Sequence, residues 1–390
     1  MSITSLDKQY VAGTYNRFPV EILRGKGSEC WDADGKRYID MGTGIGVTAF
    51  GYADEAWQAA VTAQLGAVQH TSNLYYTEPC AKLAEALCTR TGLSKVFFAN
   101  SGAEANECAI KVARKYSAEK KGEEYYTIIT LKNSFHGRTL TTLAATGQDH
   151  YHELFNPLTP GFVHAKANDI DSVKALLKEH RCAAVMMECI QGEGGVLVLE
   201  KDFVQEVAKI AREENVLLLI DEVQTGNGRT GELYAYMNYG ITPDVVSTAK
   251  GLGGGLPIGA ALLGEKVQSV LSYGDHGSTF GQNPVSCAGA LNVLSRIDRK
   301  LLDNVKKKGE YIFNSLKDAD GIESVSGMGL MVGIKTTAPA SEIVAKCIEK
   351  GVLCLTAKDK VRLLPALNIP DEILAEAIET IKEICKTTEA

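Results

Sequence analysis

Lys250 ends the β-branched apolar run of the stretch Pro243-Asp-Val-Val-Ser-Thr-Ala-Lys250-Gly-Leu-Gly-Gly-Gly-Leu-Pro257, which then opens into glycine. A lysine at the end of a buried strand, with no charged neighbour for several residues on either side, is desolvated. Its pKa falls, and its amine becomes available for Schiff-base chemistry with a carbonyl. The competing reading is a lysine in a flexible surface loop, the usual place for this residue type. A second motif bears on the choice. Val216-Leu-Leu-Leu-Ile-Asp221-Glu222-Val223-Gln224-Thr225-Gly226 reads as a buried parallel strand running into two acids. Ligands of open α/β sheets sit at such carboxyl ends of strands.

Lys250 and Asp221 together point to pyridoxal phosphate. Asp221 can hold the protonated ring nitrogen, which makes the ring an electron sink, and Gln224 can hydrogen-bond the ring's phenolic oxygen. A carboxylate that merely caps a strand-to-loop turn is the plainer alternative for Asp221 taken alone. The strand Val96-Phe-Phe-Ala-Asn100 leads into a helix that opens Ser101-Gly102-Ala103-Glu104. Free amides at Gly102 and Ala103, backed by the helix dipole, suit a phosphate, and the same residues also form an ordinary capping box.

Asp221-Glu-Val-Gln-Thr-Gly with Ser247-Thr-Ala-Lys250-Gly-Leu resembles the cofactor site of the class III (ω-amino acid) pyridoxal-phosphate-dependent aminotransferases. The resemblance covers nearly the whole chain. It extends to Gly25-Lys-Gly-Ser, Asn100-Ser-Gly-Ala-Glu-Ala-Asn106, Ser134-Phe-His-Gly-Arg138, Gln191-Gly-Glu193 and Thr279-Phe-Gly-Gln-Asn-Pro284. By that resemblance Phe135 lies against the cofactor ring, and Arg138 takes the substrate α-carboxylate with a planar fork of donors. Glu193 is then a gate that pairs with Arg362 in one half-reaction and releases it in the other. Thr279 reaches the cofactor phosphate of a neighbouring subunit, and Ser278 touches substrate from the same direction, so the resemblance implies a homodimer with shared sites. Family members often carry threonine at Ala103, a small departure because the backbone makes that contact. Without the family, Glu193 reads as a solvated loop acid, Arg362 as a strand-edge cation, and Phe135 and Arg138 as core packing and a surface ion pair. His136 reads as structural.

The implied fold is fold type I α/β. A large domain, residues 46–295, carries a mostly parallel seven-stranded sheet flanked by helices, and residues 1–45 with 296–390 form a smaller α+β domain. The implied reaction is ping-pong transamination through Lys250. It converts N2-acetyl-L-ornithine and 2-oxoglutarate to N-acetyl-L-glutamate 5-semialdehyde and L-glutamate. Succinylornithine, ornithine, 4-aminobutyrate or a carrier-linked lysine derivative are the rival donors. A cofactor-binding regulator built on the same domain would need an appended DNA-binding module, for which no basic helix-turn-helix exists here.

Two other motifs compete and fail on their surroundings. Gly226-Asn-Gly228-Arg-Thr-Gly231 fits the dinucleotide fingerprint G-x-G-x-x-G, but Asp221 and Glu222 would stand beside the pyrophosphate. Ser247-Thr-Ala-Lys250 fits S-x-x-K, yet K-T-G and S-D-N partners are missing and Ser247 falls in a strand. At 390 residues the chain exceeds what one core usually supports. A formal charge of −7 argues against nucleic acid as the main partner. Ten scattered cysteines without a C-x-x-C pair read as reduced thiols of a cytoplasmic protein, with neither a disulfide framework nor a metal site. The first residues show neither a secretory nor a transit signal, and no apolar run approaches the ~18 residues that span a bilayer.

Overall fold

The computed structural model describes residues 2–388. Its centre is a seven-stranded sheet in the order Lys95–Ala99, Gly259–Leu263, Val245–Thr248, Leu217–Asp221, Cys182–Met187, Thr127–Leu131, Phe162–Ala165. Only Gly259–Leu263 runs against the others, pairing antiparallel with both of its neighbours. Every residue of Leu217–Asp221 is buried, as a parallel strand covered on both faces requires. Successive side chains divide between the faces. Leu217 and Leu219 join the core formed with Ile110, Val112 and Tyr116 of the helix Gly102–Lys120. Leu218 and Ile220 join the core that includes Val204 and Val207 of the helix Lys201–Glu213. Each such side chain contributes roughly 1.5–3 kcal/mol on burial, so the sheet is a rigid platform for the loops at its carboxyl end.

Three smaller sheets surround this platform. Ile22–Lys26, Glu29–Asp32 and Arg37–Asp40 form an antiparallel meander, and Val352–Leu353 adds to it parallel to Arg37–Asp40, tying the two ends of the chain together. The turn of this meander falls at Asp34-Gly35, where Gly35 has φ 81°. A second four-stranded sheet orders Ile322–Met328, Met331–Thr336, Lys360–Leu363 and Leu355–Ala357. Ile322–Met328 and Met331–Thr336 form a hairpin whose turn is Gly329-Leu330. A short hairpin, Ile190–Gln191 with Leu197–Val198, brackets Glu193. The helix that starts at Pro284 ends at Arg296, and a separate helix, Arg299–Leu316, follows it. No helix among the described residues is long and apolar enough to cross a membrane.

Candidate active site

At the carboxyl end of the central strands lies a cavity of about 560 Å³, lined among others by Gly102, Ala103, Phe135, Arg138, Asp221, Gln224 and Lys250. Adjacent parallel strands bring two of these together: Asp221 ends one strand in register with Ser247 of the next, and Lys250 follows just beyond. The turn at Lys250 has φ 47°, in the left-handed region. Asn227 fixes that turn, its Nδ2 donating to Thr248 Oγ1 and to the Ala249 carbonyl, each at 3.1 Å. No hydrogen bond or ion pair engages Lys250 Nζ among the described residues. Burial lowers its pKa, while Glu193, Asp221 and Glu188 pull the other way without prevailing.

Asp221 is buried, and the groups that hydrogen-bond it are an amide side chain, an imidazole and one backbone amide. Oδ1 accepts from the Val223 amide at 3.0 Å, and Oδ2 accepts from Asn106 Nδ2 at 2.8 Å. His136 Nδ1 lies 2.8 Å from the same Oδ2, and its Nε2 is buried without a partner. A buried carboxylate held this way and open to a cavity suits a protonated ring nitrogen, to which it would supply a countercharge. Across the cavity, Ser101 caps the helix Gly102–Lys120 by accepting from Glu104 N at 3.2 Å. Glu104 in turn accepts from Asn100 N at 3.0 Å. The amides of Gly102 and Ala103 have no acceptor among the described residues. A Cβ on Gly102 would stand 2.6 Å from Val223 Cγ1, so Gly102 keeps this wall of the cavity open. Lysine, buried acid and helix N-terminus together fit an aromatic aldehyde that bears a phosphate.

Glu193 and Arg362 sit one layer further in. Arg362 is buried in the interior strand Lys360–Leu363, so it is not a strand-edge cation, and its Nη1 donates to Glu193 Oε1 at 2.6 Å. Burial pushes the Glu193 carboxyl up, but the charge and hydrogen bond of Arg362, with Lys250 and Gln224, outweigh this and hold it below its ordinary value. Gln224 joins the pair to the cavity. Its Oε1 accepts from Arg362 at 3.1 Å and its Nε2 donates to Glu193 at 3.2 Å. Ser278 and Thr279 do not line the cavity of their own chain. Ser278 Oγ accepts from Asn100 Nδ2 at 3.1 Å, and Thr279 is exposed.

Several residues that the sequence reading left unassigned belong to the site. Asn106 holds Asp221. Its signal was available, since it is a polar residue on the buried face made by Ala105, Ala109, Val112 and Ala113. Glu188 accepts from the amides of Phe135 at 2.9 Å and Gly192 at 3.3 Å, joining the loop of Arg138 to the loop of Glu193. Burial raises its pKa to about 7. Tyr15 and Val223 also line the cavity. The Gly226–Gly231 segment is buried, and Arg229 within it donates to the Leu330 carbonyl at 3.1 Å, so these glycines serve packing and present no phosphate loop. All ten cysteines are unpaired.

Residues 10–385 match the class-III aminotransferase family. The chain is 49% identical to the acetylornithine aminotransferase of Haemophilus ducreyi, covering 98% of each. It is 42% identical to the succinylornithine transaminase of Salmonella agona, covering 98% of this chain and 96% of that one. Among solved structures, an ornithine aminotransferase from Toxoplasma gondii with pyridoxal phosphate at partial occupancy superposes with a TM-score of 0.93 at 31% identity, covering 98% of this chain and 93% of that one.

Proposed function

This chain belongs to the class III aminotransferases, and on that premise we propose that it transfers the side-chain amino group of N2-acetyl-L-ornithine to 2-oxoglutarate, giving N-acetyl-L-glutamate 5-semialdehyde and L-glutamate. The observation that carries the reading is the meeting of an unpaired, desolvated Lys250 with Asp221 and Arg138 on one cavity. The choice of donor is supported by the 49% identity to a protein named for acetylornithine.

The cofactor is pyridoxal 5'-phosphate, which when bound supplies an aldehyde carbon and an electron-accepting ring. Asp221 would hold the ring nitrogen, the amides of Gly102 and Ala103 the phosphate, and Phe135 one face of the ring. Lys250 Nζ would hold the aldehyde and, as a free amine, would take the proton from the donor carbon that carries the transferred nitrogen. Arg138 would bind the α-carboxylate of the amino donor and, with the reacting carbon in the same place, the remote γ-carboxylate of 2-oxoglutarate. Glu193 would keep Arg362 neutralised while the acetylated diamine is present and release it for the α-carboxylate of 2-oxoglutarate, which is bonded to the reacting carbon. A bare Arg362 in so dry a place would cost about 3–5 kcal/mol, so the exchange of one carboxylate for another favours the dicarboxylate.

Thr279 and Ser278 complete a partner's site in a homodimer. The exposure of Thr279, beside the exposed aromatics Tyr75, Tyr76 and Phe280, supports that reading. The pairing of Val352–Leu353 with Arg37–Asp40 supports a small domain drawn from residues 1–45 and 296–390 around a large domain of 46–295. Ten unpaired cysteines are in keeping with the cytoplasm. Lys250→Ala tests the core of this proposal. The visible absorbance of the bound cofactor is expected to disappear and turnover to fall by about 10³ or more. Retention of both would remove Lys250 from its role.

A further inference from the structure

Arg138 is exposed to the cavity, and among the described residues its guanidinium has neither a hydrogen bond nor an ion pair. Two aromatic faces hold it instead. Its Cζ stands 4.5 Å from the centroid of the Tyr151 ring and 5.5 Å from that of Phe135. Those two rings meet edge to face at 5.6 Å and 69°. A guanidinium lying on a ring keeps its N–H donors at the rim of its plane, so the stack fixes the cation without using the donors that a carboxylate needs.

Tyr151 is itself well anchored. It ends the one-turn 3-10 helix Asp149–Tyr151, and its amide donates to the Gln148 carbonyl at 3.1 Å. The buried Gln148 side chain donates to the Ser134 carbonyl at 3.0 Å. On the other side, His152 Nε2 lies 2.7 Å from the Thr146 carbonyl and 2.9 Å from that of Leu143. The His150 ring backs Tyr151 at 3.9 Å. Tyr151 thus belongs to a small frame built on the same loop that carries Phe135 and Arg138.

We propose that Tyr151 is the positioning residue for substrate carboxylates, its ring orienting Arg138 toward the cavity so that each substrate is gripped by the carboxylate remote from its reacting carbon, the α-carboxylate of the amino donor and the γ-carboxylate of the 2-oxo acid. The proposal rests on the reading that Arg138 binds that carboxylate, and the test separates the two. Steady-state kinetics of Arg138→Lys, Tyr151→Leu and Tyr151→Phe are measured with N2-acetyl-L-ornithine, with 2-oxoglutarate, and with N-acetylputrescine, which is the same donor lacking its α-carboxylate.

Tyr151→Leu is expected to raise KM for both carboxylate substrates about 3- to 10-fold, with kcat held within about twofold. Tyr151→Phe, which keeps the aromatic face, restores both KM values. Reactivity toward N-acetylputrescine stays unchanged in Tyr151→Leu, which a general collapse of the loop would not allow. If Arg138→Lys raises KM while Tyr151→Leu leaves it alone, the positioning role is wrong and the Arg138 reading stands. An unchanged KM in Arg138→Lys overturns both. A Tyr151→Phe variant as impaired as Tyr151→Leu, or equal losses on N-acetylputrescine, would also overturn the proposal. If Tyr151→Leu does not fold, Tyr151→Met gives similar bulk without a π face and is read in the same way.

Discussion

Lys250 reaches the cavity because of where the strand Val245–Thr248 ends. Burial lowers the pKa of its amine in the native chain below the ordinary 10.5. Between that lowered value and 10.5 the native chain therefore binds fewer protons than the unfolded one, and this group's contribution to stability rises with pH across the window. In cofactor-free protein, Lys250→Met should be more stable than the parent at neutral pH, with the difference shrinking as pH climbs toward 10.5. Denaturant titration across pH checks this, and a variant less stable at neutral pH would contradict it. At Glu193 the expected effect is on partition. Glu193→Ala leaves Arg362 permanently free, so the half-reaction with acetylornithine should slow while that with 2-oxoglutarate is spared or improved. Equal losses in the two half-reactions would point to simple damage.

Residue types made Lys250, Asp221 and the Gly102 helix start legible in the sequence, because desolvated strand ends and helix caps are local features. Asn106, Glu188 and Tyr151 were not singled out, since their roles depend on partners 115, 53 and 13 positions away, at Asp221, Phe135 and Arg138. Arg362 was misjudged without the family for the same reason: only the pairing of its strand on both sides shows it to be interior.

Among the elements, the helix Gly102–Lys120 sets one wall of the site, and its first residue must be small. Adding a methyl at Gly102 would place it 2.6 Å from Cγ1 and 2.8 Å from Cγ2 of Val223. Overpacking of this kind costs about 1–3 kcal/mol. Gly102→Ala should therefore weaken pyridoxal phosphate binding roughly tenfold, and Val223→Ala in the same chain should recover most of the loss, read from cofactor titration. No recovery would mean that the glycine serves the backbone and not the clearance. The central strands were readable as continuous apolar runs, but the reversed direction of Gly259–Leu263 was not, because two-sided burial erases the alternation that would mark it. The G-x-G-x-x-G spacing at Gly226 shows the converse: a pattern of glycines is silent about whether it faces a ligand or a packed neighbour.

For the whole molecule, the account requires two chains per working site. Thr279→Asp would set a carboxylate against the phosphate of the partner's cofactor, whereas Lys250→Ala disables a chain's own site. Each variant alone should be nearly inactive, and mixed, reassembled chains should regain about a quarter of the parent activity, since half of the dimers are mixed and one of their two sites is intact. Failure to regain any activity would argue that Thr279 acts within its own chain. Nothing in the sequence marked this surface except small polar residues beside aromatics, a combination that also describes ordinary turns.

The most direct measurement is single-turnover loss of the cofactor's visible absorbance on separate addition of N-acetylornithine, succinylornithine, ornithine and 4-aminobutyrate. Fast bleaching by acetylornithine and slow bleaching by free ornithine is the expected result. Preference for another donor would contradict the assigned substrate while leaving Lys250 and Asp221 in place, and a protein that binds pyridoxal phosphate without acquiring that absorbance would contradict the central role of Lys250.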